Sequence, residues 1–163
     1  MNEQTIKSLL KNVSKEIESK LNSVQIFPQE SVFVKMADVI PKRKRIYFDA
    51  AIKNKICTEL RVNSSKIFSL KLSYSNNVDC LHMIRNDLPN SESIRYWNAG
   101  FYTEFEHDYI VLSDGKRTFF FTGYNGTIPE KNFFVSDGRI IFIYFHTDYV
   151  NFESDIFYYF KTD

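Results

Sequence analysis

Three turn dipeptides, Asp114-Gly115, Asn125-Gly126 and Asp137-Gly138, punctuate the last third of this chain, their glycines 11 and 12 residues apart. Around them lie DYIVLS, KRTFFFTGY, NFFVS, RIIFIYFH and DIFYYFK, short runs of β-branched and aromatic residues. Asp-Gly and Asn-Gly supply the positive φ angles that tight reversals need. Strand-like runs cut at this even spacing predict an antiparallel sandwich or barrel. Sixteen Phe and ten Tyr argue the same way, because flat rings pack well on a pleated surface. With 163 residues, 44% of them hydrophobic, the chain can fill one core of ordinary size.

Upstream the pattern changes. Ile6, Leu9, Leu10, Val13, Ile17, Leu21 and Val24 recur at three- and four-residue steps and predict an amphipathic helix over 3–24. Its stripe either docks on the sandwich or pairs with a partner helix, which would make the chain an oligomer. Pro28 ends that region, so the expected organisation is a helix in 1–26 and a β-sandwich in 27–163. SVFVKM (31–36) alternates and reads as a first strand. ICTELRV (56–62) and KIFSLKLSY (66–74) read as two more, joined through a hairpin-like break at Asn63-Ser64-Ser65. Residues 75–100 read as a polar loop holding one short apolar segment, Cys80 to Ile84, and a brief strand at Ile94–Trp97. The fold class is therefore mostly β: an antiparallel jelly-roll-like sandwich preceded by an amphipathic α-helix.

Composition excludes several functions. A net charge of +1 gives no strong field for a polyanion and weighs against nucleic acid as a partner. The charge is uneven: 14 Lys/Arg and 7 Asp/Glu in residues 1–73, then 7 and 13 in residues 74–163. Two halves that fold together neutralise one another. PKRKR (41–45) reads as a solvated basic turn before an import signal or a heparin patch. No stretch has the roughly 20 apolar residues of a membrane span. Residues 1–24 carry charges throughout, unlike a signal peptide, which suits an intracellular protein, a mature fragment or one domain of a longer chain. Cys57 and Cys80 either pair or stay buried thiols, with no zinc-type spacing. Sequons at Asn12, Asn63 and Asn125 are compatible with secretion. His82, His107 and His146 stand apart without a nucleophile motif, and no phosphate loop exists. Glu104 and Glu106 share a strand face, but solvated glutamates explain them better than a glycosidase pair. No enzymatic activity is expected.

DYIVLSDG (108–115), GYNG (123–126), Pro129, FHTD (145–148) and DIFYYF (155–160), preceded by CTELRVNSSKIFSLKL (57–72), together resemble a CUB domain over residues 56–161. The likeness is most specific at DYIVLSDG and FHTD. It implies a non-enzymatic extracellular module that recognises a protein or glycan. Many such domains hold one Ca²⁺, a hard cation that takes six to eight oxygens, between loops at one end. Carried over by position, Asp108 and Asp148 would be ligands, Glu104 or Glu106 the upstream acid, and Asn151 a further oxygen. Tyr109 and Tyr149 would frame a partner's basic side chain. The plainer reading has these Asp residues capping turns and these Tyr residues as alternating exposed or core aromatics. Two departures matter. His107 and Asn125 stand where the family pairs two cysteines, and Cys57 has no cysteine before it, leaving Cys80 as an alternative partner. Residues 75–97 read as an insertion. The alternative function is an intracellular protein–protein interaction domain that assembles through its N-terminal helix; a small jelly-roll hydrolase is a distant third.

Overall fold

The computed structural model describes residues 29–54, 56–124, 126–150 and 153–162. The helix expected over 3–24, the boundary expected at 26 and Asn151 lie outside the described residues. Two helices come first, α1 (Gln29–Asp38) and α2 (Arg45–Lys53), separated by a 3₁₀ turn at Lys42–Lys44 that follows Pro41. Nine strands follow: β1 (Thr58–Val62), β2 (Phe68–Leu72), β3 (Asp79–Asn86), β4 (Arg95–Asn98), β5 (Tyr109–Ser113), β6 (Thr118–Phe121), β7 (Phe134–Val135), β8 (Ile140–His146) and β9 (Ile156–Lys161).

The strands form two sheets, ordered β1-β3-β8-β5-β6 and β2-β9-β4-β7. Every pair is antiparallel except β1 with β3, where Thr58 lies beside His82 and Val62 beside Asn86. The expected β-sandwich is thus present, with one parallel pair at an edge. Its interior joins Ile84, Ile110, Leu112, Ile141, Ile143 and Phe145 of the first sheet to Leu70, Leu72, Tyr96, Ile156, Tyr158 and Phe160 of the second. The opposite face of the first sheet is covered too. Phe33, Met36, Ile40, Phe48 and Ile52 pack on Leu81, Met83, Tyr109, Val111, Phe142 and Tyr144. This second layer explains why RIIFIYFH does not alternate: every residue of β8 is buried because both faces of the sheet are covered. In β2, where one face is open, burial does alternate.

Three upstream expectations are corrected. SVFVKM is helical and lies within α1. Val32 and Val34 imitate strand alternation, but Phe33, Met36, Ala37 and Ile40 form the i, i+3, i+4, i+7 stripe that packs on the sheet. Asn63-Ser64-Ser65 is not a hairpin turn; it carries the chain from one sheet to the other. Residues 75–97 are no insertion, since they supply β3, a central strand of the first sheet, and most of β4. Their polar residues hid the strand because they pair internally. Arg85 bonds Asp87 at 2.6 Å, and the Asn86 side-chain amide donates to Ser91 Oγ at 3.0 Å and Ser93 O at 2.9 Å.

Cys57 and Cys80 form a disulfide, 23 residues apart in sequence, that ties the residue before β1 to β3. A bridge closing a loop of this size typically contributes about 3 kcal/mol.

One buried group makes the fold acid-sensitive. His82 shares a face of β3 with Ile84, its Nδ1 has no partner, and burial lowers its pKa to about 4. A depressed histidine costs nothing above its unfolded value near 6.5, and stability is lost as pH falls from there toward 4. The loss should approach about 3 kcal/mol at pH 4 and be absent from His82→Gln, read by urea unfolding at pH 7 and pH 4.5.

Candidate metal centre and binding surface

Asp108 and Asp114 bracket β5, six residues apart and so on one face of the strand. Both are fully buried and both reach across the sandwich to a tyrosine. Asp114 Oδ2 accepts from Tyr96 OH at 2.6 Å. Asp108 Oδ2 accepts a short hydrogen bond from Tyr74 OH. Each carboxylate also organises a loop. Asp114 Oδ1 accepts from the backbone N–H of Lys116 at 2.9 Å and of Arg117 at 2.7 Å, closing the Asp-Gly turn. Asp108 Oδ1 accepts from Asp148 N–H at 2.9 Å, pinning the loop after β8.

The loop before β5 is shaped by the same network. Glu104 N–H donates to Tyr74 Oη at 3.1 Å, and Asp108 N–H donates back to Glu104 O at 2.9 Å. Glu106 takes a left-handed φ of 67°, and its N–H donates to Thr122 Oγ1 at 2.9 Å. Thr122 in turn donates to Asp108 O at 2.8 Å. The Asp108 hydrogen bonds thereby set Glu104, His107 and Asp148 side by side. One ligand atom of each lies within 4.8 Å of the others. His107 Nε2 is 3.8 Å from Glu104 Oε1, and His107 Nδ1 is 3.5 Å from Asp148 Oδ2.

The structure brings Glu104 and Asp148 together through His107, while Asp108 bonds Tyr74 OH and the Asp148 backbone. Both Asp108 oxygens accept protein hydrogen bonds, which tie this end of the sandwich to Tyr74 and to the loop after β8. Glu106 is exposed and stands outside this cluster, and Asn151 is not described. His107 was missed as a site residue by sequence reasoning, although Glu104-x-x-His107 is a spacing that could have found it. Tyr109 is buried, with its ring stacked on Phe120 at 5.0 Å and 4.8 Å from His146, whereas Tyr149 is 73% exposed. The two do not frame one pocket.

The electrostatics favour a cation. Burial, then Asp148 and Asp108, raise the pKa of Glu104. Burial raises that of Asp108, opposed by the Tyr74 and Asp148 hydrogen bonds. A carboxyl raised in the folded state lends stability below its unfolded pKa and loses it as pH rises through the folded one. Carboxylates that raise one another's pKa in this way are relieved by a cation placed among them. Glu104 Oε2 is buried without a hydrogen-bond partner, an oxygen such as a hard metal takes up.

Exposed aromatics lie on the loop that carries Glu104 and on the segment after β6 that bonds to it. Phe105 is 61% exposed, Tyr124 is 81% and Tyr102 is 47%, and the Tyr102 and Tyr124 rings lie 5.8 Å apart. Gly123, at φ +75°, supports this surface: a Cβ there would meet Phe105 Cδ2 at 2.9 Å. A separate groove of about 530 Å³ on the open side of the second sheet is lined by Ile67, Trp97, Asn98, Thr127, Glu130 and Tyr159. Trp97 is spent there on Tyr159, stacked at 5.9 Å and only 8% exposed, so it offers no open platform for a sugar ring.

No family model matches the chain, and no curated protein does. Among solved structures it is similar to the full extracellular region of zebrafish Gpr126/Adgrg6, with 17% identity and a TM-score of 0.52 over 66% of this chain and 15% of that one. It is also similar to the CUB1-EGF-CUB2 domain of human MASP-1/3, with 15% identity and a TM-score of 0.50 over 66% of this chain and 43% of that one. The chain spans less than half the length of either match. At such identities the likeness is one of fold. Two packed sheets in this strand order, and these two matches, make residues from β1 to β9 a CUB-like β-sandwich.

Proposed function

We propose that the chain is a non-enzymatic module that binds a protein ligand through the end of the sandwich carrying Glu104, His107 and Asp148, with Ca²⁺ ordering the loops there. The observation that carries the reading is the coincidence of two features at one end. Glu104, with a buried unpartnered oxygen, shares His107 with Asp148, and the loop that carries Glu104 also exposes Tyr102 and Phe105, with Tyr124 against Tyr102. Exposed rings beside a charged centre are how interfaces are built. Glu104 and Asp148 would hold the ion, and the cation supplies positive charge that a protein ligand's acidic or carbonyl oxygens can share. The Cys57–Cys80 bridge supports an oxidising, extracellular setting. No helix among the described residues is long and apolar enough to cross a membrane.

Titration calorimetry tests the metal. Ca²⁺ should bind with a Kd on the order of 0.1–1 mM, the range of extracellular modules, and Asp148→Ala should weaken it at least about tenfold without unfolding the protein. No binding heat in the parent protein, or an unchanged affinity in Asp148→Ala, would remove this reading.

A further inference from the structure

The strongest remaining feature is a lysine from the helical layer seated against this same end. Lys44 closes the 3₁₀ turn of the Pro-Lys-Arg-Lys-Arg segment, and its side chain leaves that segment to reach the loop before β5. Its Nζ donates to Glu106 O at 2.9 Å and to His107 O at 3.1 Å, and lies 5.6 Å from the centre of the Tyr109 ring. Two carbonyls and an aromatic face make an ammonium seat. Left-handed Glu106 contributes one of those carbonyls, a backbone state that is costly outside glycine and is held here by the surrounding contacts. The neighbours divide sharply: Lys42 and Arg43 are exposed, and Arg45 donates to Ile40 O at 3.1 Å, so Lys44 alone of the run reaches the candidate metal centre.

The charges around Lys44 identify what it answers to. Burial and Arg43 lower its pKa, while Asp148, Asp108 and Glu104 raise it. These three carboxylates are the two candidate ligands and the residue that sets them. His107 joins both sites, giving its carbonyl to Lys44 and its ring to Glu104 and Asp148.

We infer that the carbonyls of Glu106 and His107 and the face of Tyr109 form an ammonium site, that Lys44 is its resident ligand, and that a metal ion at Glu104 and Asp148 competes with it. The inference rests on the Ca²⁺ reading for the identity of the competitor and on the Lys44 geometry for the rest. Two positive charges serving one group of carboxylates repel, so a lysine in this seat lowers metal affinity. It also links the site to α2, the helix that begins at the residue after Lys44. Occupation of the metal centre is then felt by the helical layer, because the same loop holds both cations.

Two measurements on the intact chain test this. In metal-free protein the Lys44 Hε resonances should lie upfield of those of Lys42, shifted by the Tyr109 ring, and should move toward the Lys42 position when 10 mM Ca²⁺ (~10 mM suffices for the affinity expected) is added. In calorimetry Lys44→Met should bind Ca²⁺ about tenfold more tightly than the parent protein. Equal affinity in the two proteins overturns the competition while leaving the metal reading intact. If neither protein binds Ca²⁺, the metal reading fails, the competition fails with it, and the ammonium site is decided by the metal-free spectrum. Lys44 Hε resonances coincident with those of Lys42 overturn that site.

Discussion

Asp114→Ala should destabilise the fold by about 4 kcal/mol. The carboxylate is fully buried, and five donors converge on it. Tyr96 OH is at 2.6 Å, and Arg117 reaches Oδ2 through Nε at 3.0 Å and Nη2 at 2.8 Å. The backbone N–H groups of Lys116 and Arg117 bond Oδ1. Alanine strands Tyr96 OH in the interior and leaves the Arg117 guanidinium, 4.3 Å from the Phe134 ring centre, without its counter-charge. Leaving a buried partner unpaired costs far more than the net worth of the bond. Asp114→Asn keeps an acceptor for the turn but loses the charge, and should cost about half as much. Urea unfolding reads both. With a slope of about 2 kcal/mol/M, the alanine variant's midpoint should fall by about 2 M at unchanged slope. A loss under about 1 kcal/mol would show that the sandwich does not depend on this clamp.

Asp108→Ala should cost about 3 kcal/mol and should also dissolve the metal centre, which separates it from Asp148→Ala. Its loss leaves Tyr74 OH without its acceptor and releases Asp148 N–H, the bond that fixes the loop after β8. Tyr74 also holds the Glu104 backbone, so both candidate ligands lose their anchor in one substitution. Tyr74→Phe, which spares the Asp148 bond, should cost only about 1–2 kcal/mol. Amide hydrogen exchange gives the local readout: Asp148 N–H should exchange much faster in Asp108→Ala than in Tyr74→Phe. Equal protection in the two variants would mean that the Asp108 carboxylate does not organise this loop.

The C-terminal half was readable because its signals are local. The Asp-Gly and Asn-Gly turns and the aromatic runs between them give β5, β6, β8 and β9 with little ambiguity. The helical layer was readable in part. The stripe Phe33, Met36, Ala37 and Ile40 was present, but a six-residue window in which Val32 and Val34 alternate favoured a strand. β3 was obscured for another reason: Asp79, Arg85 and Asn86 look like loop residues until their partners are known, and the partner of Asp79 is remote in sequence. Asp79 accepts from Tyr144 OH at 2.6 Å, across 65 residues.

The site divides along the same line. That Glu104 and Asp148 lie at one end follows from the resemblance at DYIVLSDG and FHTD. That Asp108 turns inward to Tyr74 does not, because strand parity says which face a residue takes only once the inner face is known. His107 was noticed for the cysteine it replaces and not for the carboxylates it bridges. Lys44 was one charge in a basic run, and only the packing of the helical layer on the first sheet brings it to the loop before β5.

The most direct measurement is a Ca²⁺ titration followed by amide NMR of the uniformly labelled chain. A metal centre between Glu104 and Asp148 predicts saturable shifts centred on residues 104–109, 122–124 and 147–150 and reaching Lys44 and the start of α2, all abolished by Asp148→Ala. No saturable shifts, or shifts spread over exposed carboxylates such as Glu92 and Glu130 instead, would contradict it.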